Sequence, residues 1–509
     1  MTTKKIGVVL GLMTFLFSFL PIQASSSTDI SNATEFVSMN DPFGHYTLSQ
    51  DIDFTGISPV VLFDSTNPFQ GTLDGNGYTL KNLTYEWVDG MSTKPLGLIS
   101  YSKNAVFKNI NLVNFNVSVA SSVNVPEYAG LLVGNAVNTE FTQITILKSS
   151  LISQAMMDVG GLVGTGSDGS FSDIVAYVKL RNASGYLGGI LGSYSISTNT
   201  SLELSQIDAT VDLEGGNHTG GIIGAIYGKD SDPTTQEMLI LSQVSSKGTL
   251  TGINNLGGIA GELILEHLTV SDVTSASLSV TRSSTETNLH FSGLIASAEV
   301  DHITLNRVLV QSPLIDEFYT SLSADAISDL TTSNIDVIQD SYYIADCGFT
   351  STQATALNST QSINSTSYTN YDFTTTWAIH PLFNEGIPYL RTNLAYLNYD
   401  TQGGSLVSTQ PFFKYDVIPQ PTNPTKEGYS FDGWYQESSA TSLFDFNDVS
   451  HSTNQTLYAK WVLIPQVQTT TIVTAANEPL PKTGVKHNSI SILMSLILGC
   501  IVLILGKSK

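Results

Sequence analysis

The chain has 509 residues, of which 13% are charged, with 21 basic against 44 acidic side chains. That length implies two or three domains unless a repeat fold changes the count. The acidic balance argues against nucleic acid or an anionic surface as partner, and its simplest meaning is solubility outside the cell.

Lys4 and Lys5 precede an apolar run from Ile6 to Leu20, which Pro21 breaks and the small residue Ala24 follows. This is the layout of a secretory signal peptide over 1–24, cut between Ala24 and Ser25. The weaker alternative is a retained anchor, because a spanning helix needs ~20 apolar residues.

The middle of the chain is a repeat array. Five blocks share the form Gly-(Gly/Leu)-apolar-apolar-Gly, starting at Gly130, Gly160, Gly188, Gly220 and Gly257. Degenerate copies start at Leu96 and Ser292. Successive starts are 34, 30, 28, 32, 37 and 35 residues apart. Runs after the blocks, such as Phe141–Ile146, Phe171–Ile174 and Ile303–Val308, interleave apolar with polar residues as half-buried strands do. Helical periodicity is hard to find. One glycine-hinged block and two or three short strands per ~30 residues describe one coil of a β-solenoid. The glycines permit tight corners, and the apolar pair stacks each block on the next.

These blocks resemble the GLUG repeat of bacterial surface proteins. The stretch from Tyr46 to Leu80, including Asp74-Gly75-Asn76-Gly77, looks like the opening coils of a right-handed β-helix. Trp377, Pro381 and Gly386–Leu390 look like the closing coil. The expected fold is therefore all-β: a right-handed β-helix or β-solenoid over 25–390, then a small β-grasp-like domain over 391–462.

That second unit carries Gly428-Tyr429-Ser430-Phe431-Asp432-Gly433-Trp434-Tyr435 and ends on Leu457-Tyr458-Ala459-Lys460-Trp461. The two signatures resemble the Listeria–Bacteroides repeat of internalin-type surface proteins, which implies the β-grasp-like fold. Tyr429, Phe431, Trp434, Tyr458 and Trp461 are expected to form its core, with an aromatic sugar platform as the alternative. Residues 463–479 read as a linker of at most roughly 60 Å. It is short for a wall spacer, so the small domain is expected to act as a stalk base.

The C-terminus presents Leu480-Pro481-Lys482-Thr483-Gly484, then an apolar stretch over 490–505, then Lys507-Ser508-Lys509. This order resembles the LPxTG cell-wall sorting signal of Gram-positive bacteria. The resemblance implies that 490–505 holds the exported chain transiently at the membrane. A sortase cysteine then attacks the carbonyl of Thr483, releases Gly484 onward and passes Thr483 to peptidoglycan. A plain C-terminal membrane anchor is the alternative, though it needs no such pentapeptide. The processed chain, 25–483, has 16 basic and 44 acidic residues, a net of −28.

Catalytic signatures are missing from the sequence. Cys500 lies in the removed stretch, which leaves Cys347 as a buried structural thiol with no partner for an internal disulfide. The eight histidines form no His-Glu-x-x-His motif. No Gly-x-Ser-x-Gly elbow and no phosphate-cradling loop is found. Asp51 with Asp53, and Asp230 with Asp232, are the acidic pairs considered for calcium. Asp74–Gly77 reads instead as a coil corner. No catalytic residue, metal ligand or cofactor is assigned.

The expectation is a sortase-anchored protein of the Gram-positive cell surface. Its role would be that of an adhesin or display protein binding a host protein or glycan through the solenoid. The alternative is a wall-anchored β-helix enzyme, a polysaccharide lyase or glycosidase with carboxylates on neighbouring coils.

Overall fold

The computed structural model describes residues 27–465 except 59–60, 89–93, 121–124, 156, 229–234, 253, 283–289, 312–333, 346–350, 382 and 449. The Ala24–Ser25 junction, Asp230, Asp232, Cys347, the motif 480–484 and the stretch 490–505 lie outside the described residues.

The glycine blocks are where the coils turn. The first residue of each block ends a three-residue strand: Tyr128–Gly130, Asp158–Gly160, Tyr186–Gly188, His218–Gly220, Asn255–Gly257 and His290–Ser292. These strands pair in parallel, glycine on glycine up to Gly257, which pairs with Ser292, in one six-stranded sheet. After the block the chain enters long strands such as Val133–Ser153, Val163–Asn182 and Ala260–Arg282. They too pair in parallel register, coil upon coil, in a twenty-stranded sheet. The result is a β-solenoid of about seven turns.

The block glycines are required for space rather than for a left-handed φ. A Cβ on Gly188 would sit 1.9 Å from the carbonyl oxygen of Leu191 and 2.5 Å from the amide nitrogen of Gly224. The corner closes on itself and on the next coil, and only a residue without Cβ fits.

Other corners do use positive φ, on residues other than glycine. Asn109, Gln143, Asp173, Gln206, Gln243, Asp272, Arg307 and Asp340 form one column across eight coils, each with φ between 51° and 55°. Each bends its strand, and the next residue turns inward. In the first seven coils those residues are Ile110, Ile144, Ile174, Ile207, Val244, Val273 and Val308, all fully buried. Asp74-Gly75-Asn76-Gly77 is likewise a coil corner, with Asn76 at φ 50° and Gly77 at φ 81°.

A second inward column is aromatic. Phe69, Phe107, Phe141 and Phe171 stack with centroids 5.6, 5.2 and 4.9 Å apart, and Tyr194 closes the series edge-on at 5.7 Å. Such contacts add about 0.5–1.5 kcal/mol each beyond burial.

The N-terminal end is covered by a short helix that the strand-dominated sequence pattern hid. Ala33–Val37 is capped by Asn32, whose side-chain oxygen accepts from the Glu35 amide at 3.0 Å. The helix buries Phe36 against Phe54, with ring centroids 5.4 Å apart.

The segment after the last coil turns back along the solenoid flank. Asp272 accepts from Trp377 Nε1 at 2.8 Å and holds Arg307 through two bonds of 2.7 and 2.8 Å. Gln311 Nε2 donates to the Pro388 carbonyl at 3.0 Å. Buried Trp377 rests on Tyr371, 4.6 Å away.

The small domain is a four-stranded mixed sheet. Its strands in chain order are Leu394–Asp400, Gln410–Phe413, Tyr429–Tyr435 and Gln455–Leu463. Their spatial order is 2-1-4-3, with the central pair parallel and both outer pairs antiparallel, the strand arrangement of a β-grasp. The core is Ala395, Leu397, Phe412, Ile418, Trp434, Phe444, Leu457 and Ala459. The expected aromatic core is therefore only partly realised. Trp434 is buried, with Phe431 and Trp461 packed at its edge. Tyr429 is exposed, paired with Leu463 at the sheet's end, and the Lys426 ammonium lies 4.9 Å above its ring. Tyr458 is half-buried and outside the core.

Candidate functional site

The small domain lies against the solenoid's flank. Tyr177 Oη donates to the Lys414 carbonyl at 3.2 Å, and Lys247 Nζ reaches Asp416 at 3.4 Å. The same ammonium lies 4.6 Å from the Phe413 ring centroid. Phe413 in turn packs edge-on against Tyr389, 5.0 Å away, and Phe383 at 6.1 Å, on the returning segment.

This docking leaves an open polar cleft. Its floor is the solenoid flank, with Asn109, Asn111, Gln143, Thr145, Asp173 and Val175, and its far side is formed by Lys414 and Tyr415. The floor residues belong to three adjacent coils and are in register, so equivalent positions recur at the ~4.8 Å spacing of paired strands. Tyr415 has φ 62°, a conformation uncommon for a bulky side chain. It is held there by its amide, which donates to the His451 carbonyl at 2.8 Å. A second cleft lies further along, between the Lys247–Asp416 pair and the returning segment.

A separate polar strip runs beside the glycine corner. The residue two positions before each glycine lies in one column, where the structure stacks Tyr128 on Asp158 and then Tyr186, His218, Asn255 and His290 in succession. Tyr227 Oη donates to Glu262 at 2.7 Å and also meets Tyr186. Asn255 Nδ2 lies 2.8 Å from His218 Nδ1. Burial lowers the His218 imidazole below its usual value, with Glu262 opposing the shift. Burial also raises the Asp158 carboxyl, against bonds from Ser193 (2.7 Å) and the Tyr186 amide (3.1 Å). From Asp158 to Asn255 the polar side chains of this strip bond one another and their neighbours, which makes it a seam between coils.

Asp158 and Glu262 are two carboxylates of the seam, and Glu127 is a third beside Tyr128. Ser193, bonded to Asp158, is two coils from Glu262 in register, which is roughly 10 Å. The paired carboxylates of retaining glycosidases lie about 5 Å apart and those of inverting ones roughly 6.5–9.5 Å.

Asp51 and Asp53 are used in the fold. Asp51 accepts from the Thr79 amide at 3.0 Å and pairs with Lys81 at 3.4 Å. Asp53 accepts from the Thr55 hydroxyl at 2.6 Å and from Asn82 at 3.0 Å. These bonds, the Thr55 hydroxyl first, hold its carboxyl down to about 2. Among the described residues no group of three or more His, Cys, Asp or Glu side chains is placed to hold a metal. His267 and His302 stack on adjacent coils at 4.7 Å, and His302 faces Asp336 at 3.1 Å.

The cleft and the seam were not assigned from the sequence. The seam residues sit at a constant offset of two before each block. Asn109, Gln143 and Asp173 sit 13 residues after block starts 96, 130 and 160. That alignment was available. What it cannot give is the small domain folding back over those positions.

With the four-stranded sheet and its docking established, comparison with known proteins bears on the small domain. Residues 396–460 match the Listeria-Bacteroides repeat domain. Over 69 residues the chain is 44% identical to a protein of Evansella cellulosilytica provisionally named a membrane protein, covering 14% of this chain and 10% of that one. It is 28% identical over 132 residues to internalin H of Listeria monocytogenes, covering 24% of this chain and 22% of that one. The chain thus spans at most about a fifth of the length of these curated relatives. Among solved structures, a Bacteroides ovatus protein provisionally described as an immunoglobulin A1 protease aligns with 72% of this chain and 93% of its own. Its TM-score is 0.34 at 16% identity, a likeness too loose to bear on fold or activity. The repeat domain and the β-solenoid together fit a cell-surface protein. Among the described residues no helix is long and apolar enough to cross a membrane.

Proposed function

We propose that this chain is a wall-anchored surface adhesin. In this reading GLUG-type repeats build the solenoid, the signal peptide directs export, and a sortase joins Thr483 to peptidoglycan. The solenoid flank and the docked repeat domain present a rigid surface to ligands on a host cell or in the surroundings. The observation that carries the binding role is the open cleft between the flank and the docked repeat domain, floored by polar side chains in register.

Anchoring is tested by expressing the full chain in a Gram-positive host with and without its sortase. Wall fractions are then digested and the C-terminal fragment identified by mass spectrometry. A fragment ending at Thr483 joined to a wall peptide is expected. A fragment that still contains Gly484 would refute sortase anchoring. Adhesion is tested with the same cells on host-matrix and glycan surfaces, with product analysis. Retention without new sugar or peptide ends is expected, and shortened products would turn the assignment to an enzyme.

A further inference from the structure

We infer that the cleft between the solenoid flank and the repeat domain binds a linear neutral oligosaccharide laid across the coils. This rests on the adhesin reading and names its ligand class and its site.

The floor supplies the first argument. Asn109, Gln143 and Asp173 form one row of the cleft, in which Asn109 Nδ2 also donates to Asp74 at 2.9 Å, and the largely buried Thr145 belongs to the next. Amides offer donors and acceptors together, a hydroxyl offers both on one atom, and a carboxylate only accepts. A sugar ring presents hydroxyls that need both kinds of partner. The row repeats at ~4.8 Å, the strand spacing. That is close to the length of one ring in a linear glycan, so successive sugars meet equivalent positions on successive coils. Gln143 is exposed and its φ of 55° carries it on the turn of the strand, at the surface.

The opposite wall supplies the second. Tyr415 lines the same cleft from the repeat domain, at φ 62°. The left-handed region costs a non-glycine residue roughly 1–2 kcal/mol. Glycine would remove that cost, so nothing in the local backbone asks for tyrosine. An aromatic face combined with a polar tip is suited to the apolar face and hydroxyl rim of a sugar. The cleft disfavours the other ligand classes. Asp173 offsets the one cation of the lining, Lys414, and the net charge of −28 for 25–483 opposes a polyanion. The polar floor lacks the apolar pocket that a peptide anchor needs.

The test uses the full chain and calorimetric titration with neutral hexasaccharides of β-linked glucose, mannose and N-acetylglucosamine. A heparin hexasaccharide serves as the anionic control. Saturable binding of at least one neutral hexasaccharide, and none of heparin, is expected. Tyr415→Gly should cost about tenfold or more in affinity. It should leave the melting temperature unchanged or higher, since backbone strain is relieved. Tyr415→Phe should stay within about threefold, and Gln143→Ala with Thr145→Val should weaken binding without moving the repeat domain. Wild-type affinity in Tyr415→Gly, or binding of heparin alone, overturns the inference. So does the absence of binding by every neutral hexasaccharide. If cells still adhere to a matrix protein and Tyr415→Gly leaves that unchanged, the cleft assignment fails while the adhesin reading stands. If the cells adhere to nothing, both fail.

Discussion

The solenoid and the repeat domain are both built from strands, yet they are held together on different principles. In the solenoid every coil leans on equivalent residues of the next, so its contacts come in columns: glycine on glycine, phenylalanine on phenylalanine, left-handed corner on left-handed corner. The repeat domain has no columns. Seven residues around Trp434, drawn from every strand and the loops between, fill one small core, and its tight positions are individual. A column tolerates variation in what lies between its members but not in the members themselves, whereas a small core depends on total fill.

The sharpest test of that contrast is a pair of glycine changes. Gly188→Val forces a side chain onto two backbone atoms of its own and the neighbouring coil. It should cost about 4 kcal/mol or more, or prevent folding of the central coils. In the repeat domain Gly428→Ala places a methyl in open space at φ 78° and should cost about 1 kcal/mol. Urea unfolding followed by circular dichroism measures both, and equal costs would break the comparison.

Next in size is the aromatic column. Phe141→Ala removes a ring stacked at 5.2 Å on one side and 4.9 Å on the other, and should cost about 3–5 kcal/mol. Hydrogen exchange should show the loss spreading to the coils of Phe107 and Phe171 while the repeat domain stays protected. Protection lost in both units together would mean that they unfold as one.

The returning segment is held by Asp272. Asp272→Asn weakens charged bonds to Arg307 and one to Trp377 Nε1, and should cost about 2 kcal/mol. Trp377 fluorescence should shift red before global unfolding in urea. The docking contact is weaker. Lys247→Ala removes a half-exposed ion pair and the contact on Phe413, which together are worth about 1 kcal/mol. Protease accessibility of the 391–396 connection should rise, and high salt should reduce the difference between wild type and variant.

The smallest expected effect is on pH dependence. The folded His218 imidazole titrates below its ordinary value because burial disfavours its charge. Its contribution is present above about pH 6.5, the unfolded value, and is lost as pH falls through the folded value. His218→Asn should flatten the stability profile below pH 6.5 in thermal melts. An unchanged slope would remove His218 from the acid response of the seam.

Much of this was legible from the residues. The glycine blocks announced coils because their spacing is near-constant and their apolar pairs recur, and Phe141 and Phe171 stood at equivalent places after two blocks. The two aromatic signatures marked the repeat domain. The left-handed column was hidden because its members are Asn, Gln, Asp and Arg, which carry no turn signal as strong as glycine when they stand inside a strand. The helix at Ala33–Val37 was hidden by its length, since five residues show no periodicity. Tyr429 was read as core from its place in an aromatic motif, but the register puts it opposite Leu463 at the end of the sheet.

The sequence by itself determined the kind of fold, because a repeated short-range pattern has few ways to bury its apolar face other than by stacking copies of itself. Only the tertiary structure decided that the repeat domain turns back and docks on the flank at Tyr177 and Lys247. Those contacts join residues 166 or more positions apart, and a single backbone carbonyl, one ammonium and one ring leave no periodic trace in the chain. The cleft that faces Tyr415 is a product of that docking, which is why its chemistry becomes visible only when the two units are seen together.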